Sequence, residues 1–120
     1  RVEACAPTGL PAGYRWGPTE PARSYTLNGS AAGAMWASAG SGRSLLFMFT
    51  EWQSPPVLAR PSTSIRLAGH DVDLFYESGR LRMAAWRSGS TRAWVTNTLR
   101  NELPDRTLIA LARSCLRAPG

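Results

Sequence analysis

Apolar and polar positions alternate most clearly over Arg43–Gln53. There Leu45, Phe47 and Phe49 fall on one side of an extended chain and Leu46, Met48 and Trp52 on the other. Bulk on both sides predicts a central strand covered on both faces. Downstream, Ile65–Leu67, Val72–Glu77, Leu81–Arg87 and Arg92–Thr98 follow as successive strands, with Ser78–Gly79 and Ser88–Gly89 where short hairpin turns are needed. Val72, Leu74 and Tyr76 share one face. Leu81, Met83 and Ala85 supply the facing surface of the next strand, followed by Ala93, Val95 and Leu99. Upstream, Ser24–Leu27 predicts a short strand ending at Asn28–Gly29, and Ala31–Ala39 another. Ser54–Ser64, with three prolines, predicts a loop around the fold.

The period changes at the C-terminal end. Leu108, Leu111, Ala112 and Cys115 recur at helical spacing, so Asp105–Arg117 reads as an amphipathic helix. Pro104 suits its start, Asp105 its positive end, and Arg113 and Arg117 its negative end. Residues 1–23, dense in Pro and Gly, predict an irregular arm held down by Cys5, Tyr14 and Trp16. The fold class that follows is α+β. It has an antiparallel sheet of about five or six strands, a C-terminal helix on one face and the N-terminal arm, all in one domain over 1–120. The connections are too short for parallel crossovers.

Composition changes this picture in two ways. The net charge is +6, and every cation is an arginine: 14 Arg and no Lys stand against eight acids. The missing Lys reads as codon bias of a GC-rich bacterial genome, but guanidinium forks are physically suited to carboxylate and phosphate. The two cysteines, Cys5 and Cys115, lie near the two ends. An even count so placed predicts a disulfide clasp formed in an oxidising compartment, with two unrelated buried thiols as the alternative. No run approaches the roughly 20 apolar residues of a membrane span. A chain starting at Arg1 reads as processed or excised, which leaves a membrane tether possible outside it.

Met83-Ala84-Ala85-Trp86, Trp94-Val95-Thr96-Asn97 and Ile109-Ala110-Leu111-Ala112-Arg113-Ser114 stand in strand, strand and helix. This ending, over Ile65–Leu116, resembles extracytoplasmic sensory or regulatory domains of bacterial membrane-attached proteins. The resemblance implies an exported module, secreted, periplasmic or associated with the cell envelope. It carries over no catalytic residue, and the arm and the cysteine pair lie outside it.

Candidate chemistry is sparse. His70, Asp71 and Asp73 cluster, but alternation puts the two carboxylates on one side and His70 on the other, so they read as a solvated hairpin edge and no metal is assigned. The serines have only His70 as an imidazole base and no Gly-x-Ser-x-Gly elbow. Gly40-Ser41-Gly42-Arg43-Ser44 lacks the P-loop lysine and precedes a strand. No catalytic residue and no cofactor is assigned.

The basic residues suggest more. Arg80 and Arg82 alternate with Ala84 and Trp86, and Arg92 with Trp94, predicting a mixed Arg/Trp patch on the face opposite the helix. Arg80, Arg82, Trp86, Arg92 and Trp94 are therefore the candidate ligand-binding residues, suited to an anionic cell-envelope ligand or an acidic protein. The bland alternative is that salt bridges or a further layer shield both tryptophans. The expected function is non-catalytic binding of a cell-envelope ligand or protein partner. The alternatives are a small envelope enzyme acting on a glycan or lipid, and a nucleic-acid-binding domain, which the dispersed arginines and intervening acids disfavour.

Overall fold

A computed structural model describes residues 7–17, 23–40 and 43–116. Eight antiparallel strands form one sheet: β1 (Arg15–Trp16), β2 (Arg23–Leu27), β3 (Ser30–Ala39), β4 (Arg43–Thr50), β5 (Thr63–Leu67), β6 (His70–Glu77), β7 (Arg80–Ser88) and β8 (Thr91–Thr96). The helix α1 (Asp105–Leu116) follows. The spatial order is β1-β3-β4-β8-β7-β6-β5, with β2 also pairing with β3. β1 meets the Ala37–Ser38 end of β3 and β2 its Ser30–Ala34 end, so the two short strands together make one edge. The predicted α+β architecture is the observed one. The sheet has eight strands where about five or six were expected, and β1 (Arg15–Trp16) lies inside the segment expected to be irregular.

Turn chemistry sets the hairpins. Asn28–Gly29, Ala68–Gly69 and Ser78–Gly79 each place two successive residues at φ between +48° and +81°. Positive φ at both central residues is the signature of the type I′ turn, whose twist matches that of the flanking strands. Gly89, at φ +61°, opens the last hairpin, with Ser88 and Thr91 paired across it.

Two meanders, β1–β4 and β5–β8, are joined edge to edge through β4 and β8, where Phe47 faces Val95 and Met48 faces Trp94. The chain passes from β4 to the far edge through residues 51–62, a strap containing a short 3-10 turn at Pro56–Leu58. α1 packs on β7 and β8 and closes one face with Leu108, Leu111 and Ala112 against Leu45, Phe47, Phe49, Val72 and Trp86. From the arm, Tyr14 and Trp16 lie partly buried against this core. On the other face Leu58 of the strap joins Met83, Ala85 and Trp94 in a second, smaller cluster.

The clasp expectation is corrected in scope. Cys5 lies outside the described residues, so no bond from Cys5 to Cys115 is part of the described structure. Cys115 is partly buried against the core. What the structure does describe between the two ends is a backbone-to-side-chain hydrogen bond. The Thr8 amide donates to Ser114 Oγ at 3.0 Å, holding the arm to the last turn of α1.

Candidate functional site

One irregularity in β7 redistributes the predicted patch. Phe75 pairs with Met83 but Tyr76 pairs with Leu81, leaving Arg82 as the extra residue of a β-bulge. An extra residue inverts side-chain alternation on either side of it. Leu81 therefore joins Ala84 and Trp86 on the helix side, while Met83 and Ala85 turn to the strap side.

The expected Arg/Trp face is accordingly dismantled. Trp86 is 4% exposed in the helix-side core, where its ring stacks on Phe47 with centroids 5.8 Å apart. Trp94 is 3% exposed on the opposite side, beneath the strap. The two tryptophans cannot share a binding surface. Met83, expected under the helix, lies in the strap-side cluster, and Leu99, expected to line the core, is 90% exposed.

Arg82 is a structural knot. Its Nη1 donates to the carbonyls of Asn97 and Thr98 and to Asn101 Oδ1. Asn97 is buried beside it: Nδ2 donates to the carbonyls of Leu81 and Leu103, and Oδ1 accepts from the amides of Thr98 and Leu103. The Leu81 amide donates to Asp105 Oδ1 at 2.9 Å, so the residue read as a dipole partner also fastens the helix start to the bulge. Arg80 is exposed and, among the described residues, donates to the Glu102 carbonyl at 3.4 Å. Of the five candidates, Trp86 and Trp94 are buried, Arg82 is engaged in the fold, and Arg92 stands beside a second arginine.

Arg92 sits directly across the β7–β8 hairpin from Arg87. Counting outward from the Ala85–Trp94 pair puts both on the strap side. Like charges facing each other across strands destabilise a sheet, so something must hold these two. Gln53 of the strap does. Arg87 Nη1 donates to Gln53 Oε1 at 2.7 Å, and Arg92 Nη1 donates to the Gln53 carbonyl at 2.8 Å. Gln53 Nε2 in turn donates to the carbonyls of Glu51 and Ser90.

Neither guanidinium lies within ion-pair distance of a carboxylate among the described residues, where the one ion pair is Arg66–Asp71 at 2.9 Å. Arg92 Nε is buried without a hydrogen-bond partner. Burial holds the Arg92 pKa below its ordinary value, Arg87 pushes it further down, and Asp73 partly opposes them. A guanidinium has five donors, so most of those on this pair remain unused by protein acceptors. Two guanidinium groups side by side can hold an anion through charge-assisted hydrogen bonds.

Sequence reasoning missed Arg87 and Gln53. Arg87 was legible: a two-residue turn after Ser88 puts 87 opposite 92. Gln53 carries no local signal, because the strap's path depends on tertiary packing.

The acidic cluster has ordinary partners. Asp71 pairs with Arg66, Asp73 accepts from Ser64 Oγ at 2.6 Å, and His70 is exposed at the start of β6. Among the described residues no group of three His, Cys, Asp or Glu side chains is placed to hold a metal. The Gly40–Ser44 loop lies partly outside the described residues. No described helix is long and apolar enough to cross a membrane. Comparison with family models, curated proteins and solved structures gave no match.

Proposed function

We propose that this chain is a non-catalytic extracytoplasmic binding domain that holds an anionic group of a cell-envelope ligand on the Arg87–Arg92 pair. The observation that carries this is the facing of two like charges that have only neutral acceptors, both from Gln53. An anion there would relieve the repulsion and form charge-assisted bonds, about twice as strong as neutral ones. The extracytoplasmic part rests on the resemblance over Ile65–Leu116.

The test is titration with inorganic phosphate, followed by calorimetry and by amide chemical shifts, at two salt concentrations. Binding should perturb the Gln53, Arg87 and Arg92 signals, weaken with salt, and fall at least tenfold in Arg87→Gln and Arg92→Gln. Phosphate affinity unchanged in both variants would overturn the proposal.

A further inference from the structure

The strap lays an oxygen pair and an alkyl group on neighbouring parts of one sheet face. Its ends are fixed: the Glu51 amide donates to the Ala31 carbonyl at 2.9 Å, and the Ser62 amide to the Leu74 carbonyl at 2.8 Å. Between them its backbone bonds are local, Leu58 to Pro55 and Ala59 to Pro56 within the short turn. Near its start the Trp52 amide donates to Thr50 Oγ1 at 3.0 Å, and further along Gln53 and Leu58 meet the sheet. Gln53 sets two carbonyl oxygens on the two guanidinium groups, and Leu58 lays a branched alkyl group on Met83, Ala85 and Trp94. The bed extends beyond Leu58, because Met48 and Phe75 pack against the same cluster and are only partly buried.

Two oxygens on adjacent arginines, with an alkyl group on an apolar bed alongside, describe a single-chain anionic amphiphile. We infer that such a molecule, with a phosphate or carboxylate head on Arg87 and Arg92 and its chain on Met48, Phe75, Met83 and Trp94, is the ligand and displaces the strap to bind. The inference rests on the anion-binding proposal above and adds the apolar half of the ligand and the displaced strap. Charge favours the exchange, since an anionic oxygen is a stronger acceptor for guanidinium than the neutral carbonyls of Gln53. Each methylene laid on the bed adds up to about fourfold in affinity until the bed is filled.

The experiment compares three probes below their micellar concentrations: inorganic phosphate, octyl phosphate and the uncharged octyl glucoside. Binding is read by calorimetry and by tryptophan fluorescence, with Trp94 in the bed. Octyl phosphate should bind at least thirtyfold more tightly than phosphate and octyl glucoside. Leu58→Ala removes an internal competitor, so it should raise octyl phosphate affinity about threefold or more and leave phosphate affinity unchanged. Gln53→Ala, which leaves the apolar cluster intact, should raise affinity for both anions and serves if Leu58→Ala does not fold. If phosphate binds through the arginines but the octyl chain adds less than twofold, the amphiphile is overturned and the anion site stands. Equal binding of octyl glucoside and octyl phosphate overturns it as well. If neither anion binding depends on Arg87 and Arg92, both proposals fall together.

Discussion

On one face of the sheet, α1 lays Leu108, Leu111 and Ala112 against Phe47, Val72 and Trp86, and all six are buried. On the other face, a proline-bearing strap sets a single leucine over Met83, Ala85 and Trp94 and leaves Met48 and Phe75 partly open. The helix cover is regular, satisfies its own backbone groups and is fastened at its start by Asp105. The strap cover has few bonds of its own to the sheet, and two of those in its interior fall on a pair of arginines. One face is built to stay closed, whereas the other is held by contacts that a ligand of the right chemistry can replace. Local stability differs within a fold in this way, and binding elements are drawn from the less stable end.

Substitutions can break or sharpen this contrast. The largest effect is expected for Trp86→Ala, which empties the stacked position beside Phe47 and should cost about 3–5 kcal/mol in urea denaturation. Leu58→Ala, also a buried large-to-small change, should cost no more than roughly 2 kcal/mol, because the strap can settle into the space. Equal losses at the two sites would mean that both faces are core in the same sense, and the contrast would fail. The smallest effect concerns neither cover. Ala68 holds φ +48° in its turn, a conformation that Gly adopts freely, so Ala68→Gly should raise stability by about 0.5–1 kcal/mol. That gain should appear in the denaturation midpoint and leave phosphate binding unchanged.

The sheet and helix were legible because strict alternation over β4 and a helical stripe over α1 are periodic signals that tertiary contacts reinforced. The Asn28–Gly29 and Ser78–Gly79 turns were legible from residue type alone. Ala68–Gly69 was harder to see, because an alanine at positive φ follows no composition rule. The candidate site was misread at one residue. Alternation through β7 is correct on either side of Arg82, but the bulge there inverts its phase, and no local property of Arg-Leu-Arg-Met announces a bulge. That inversion sends Trp86 into the core and leaves Trp94 under the strap. Arg92 survived the correction because its strand has no irregularity, and its partner Arg87 follows from the turn.

The join between β4 and β8 carries a consequence for how the chain reaches this structure. All the other described strand pairings stay inside one meander or the other, and so arise between stretches close in sequence. At the join, residues 46–50 pair with residues 92–96, across the whole length of the second meander. Closing a long loop costs entropy before any contact repays it, and topologies with such pairings fold slowly. The zipping of Phe47 to Val95 is thus the slow event expected in refolding, with the two meanders already formed on either side of it.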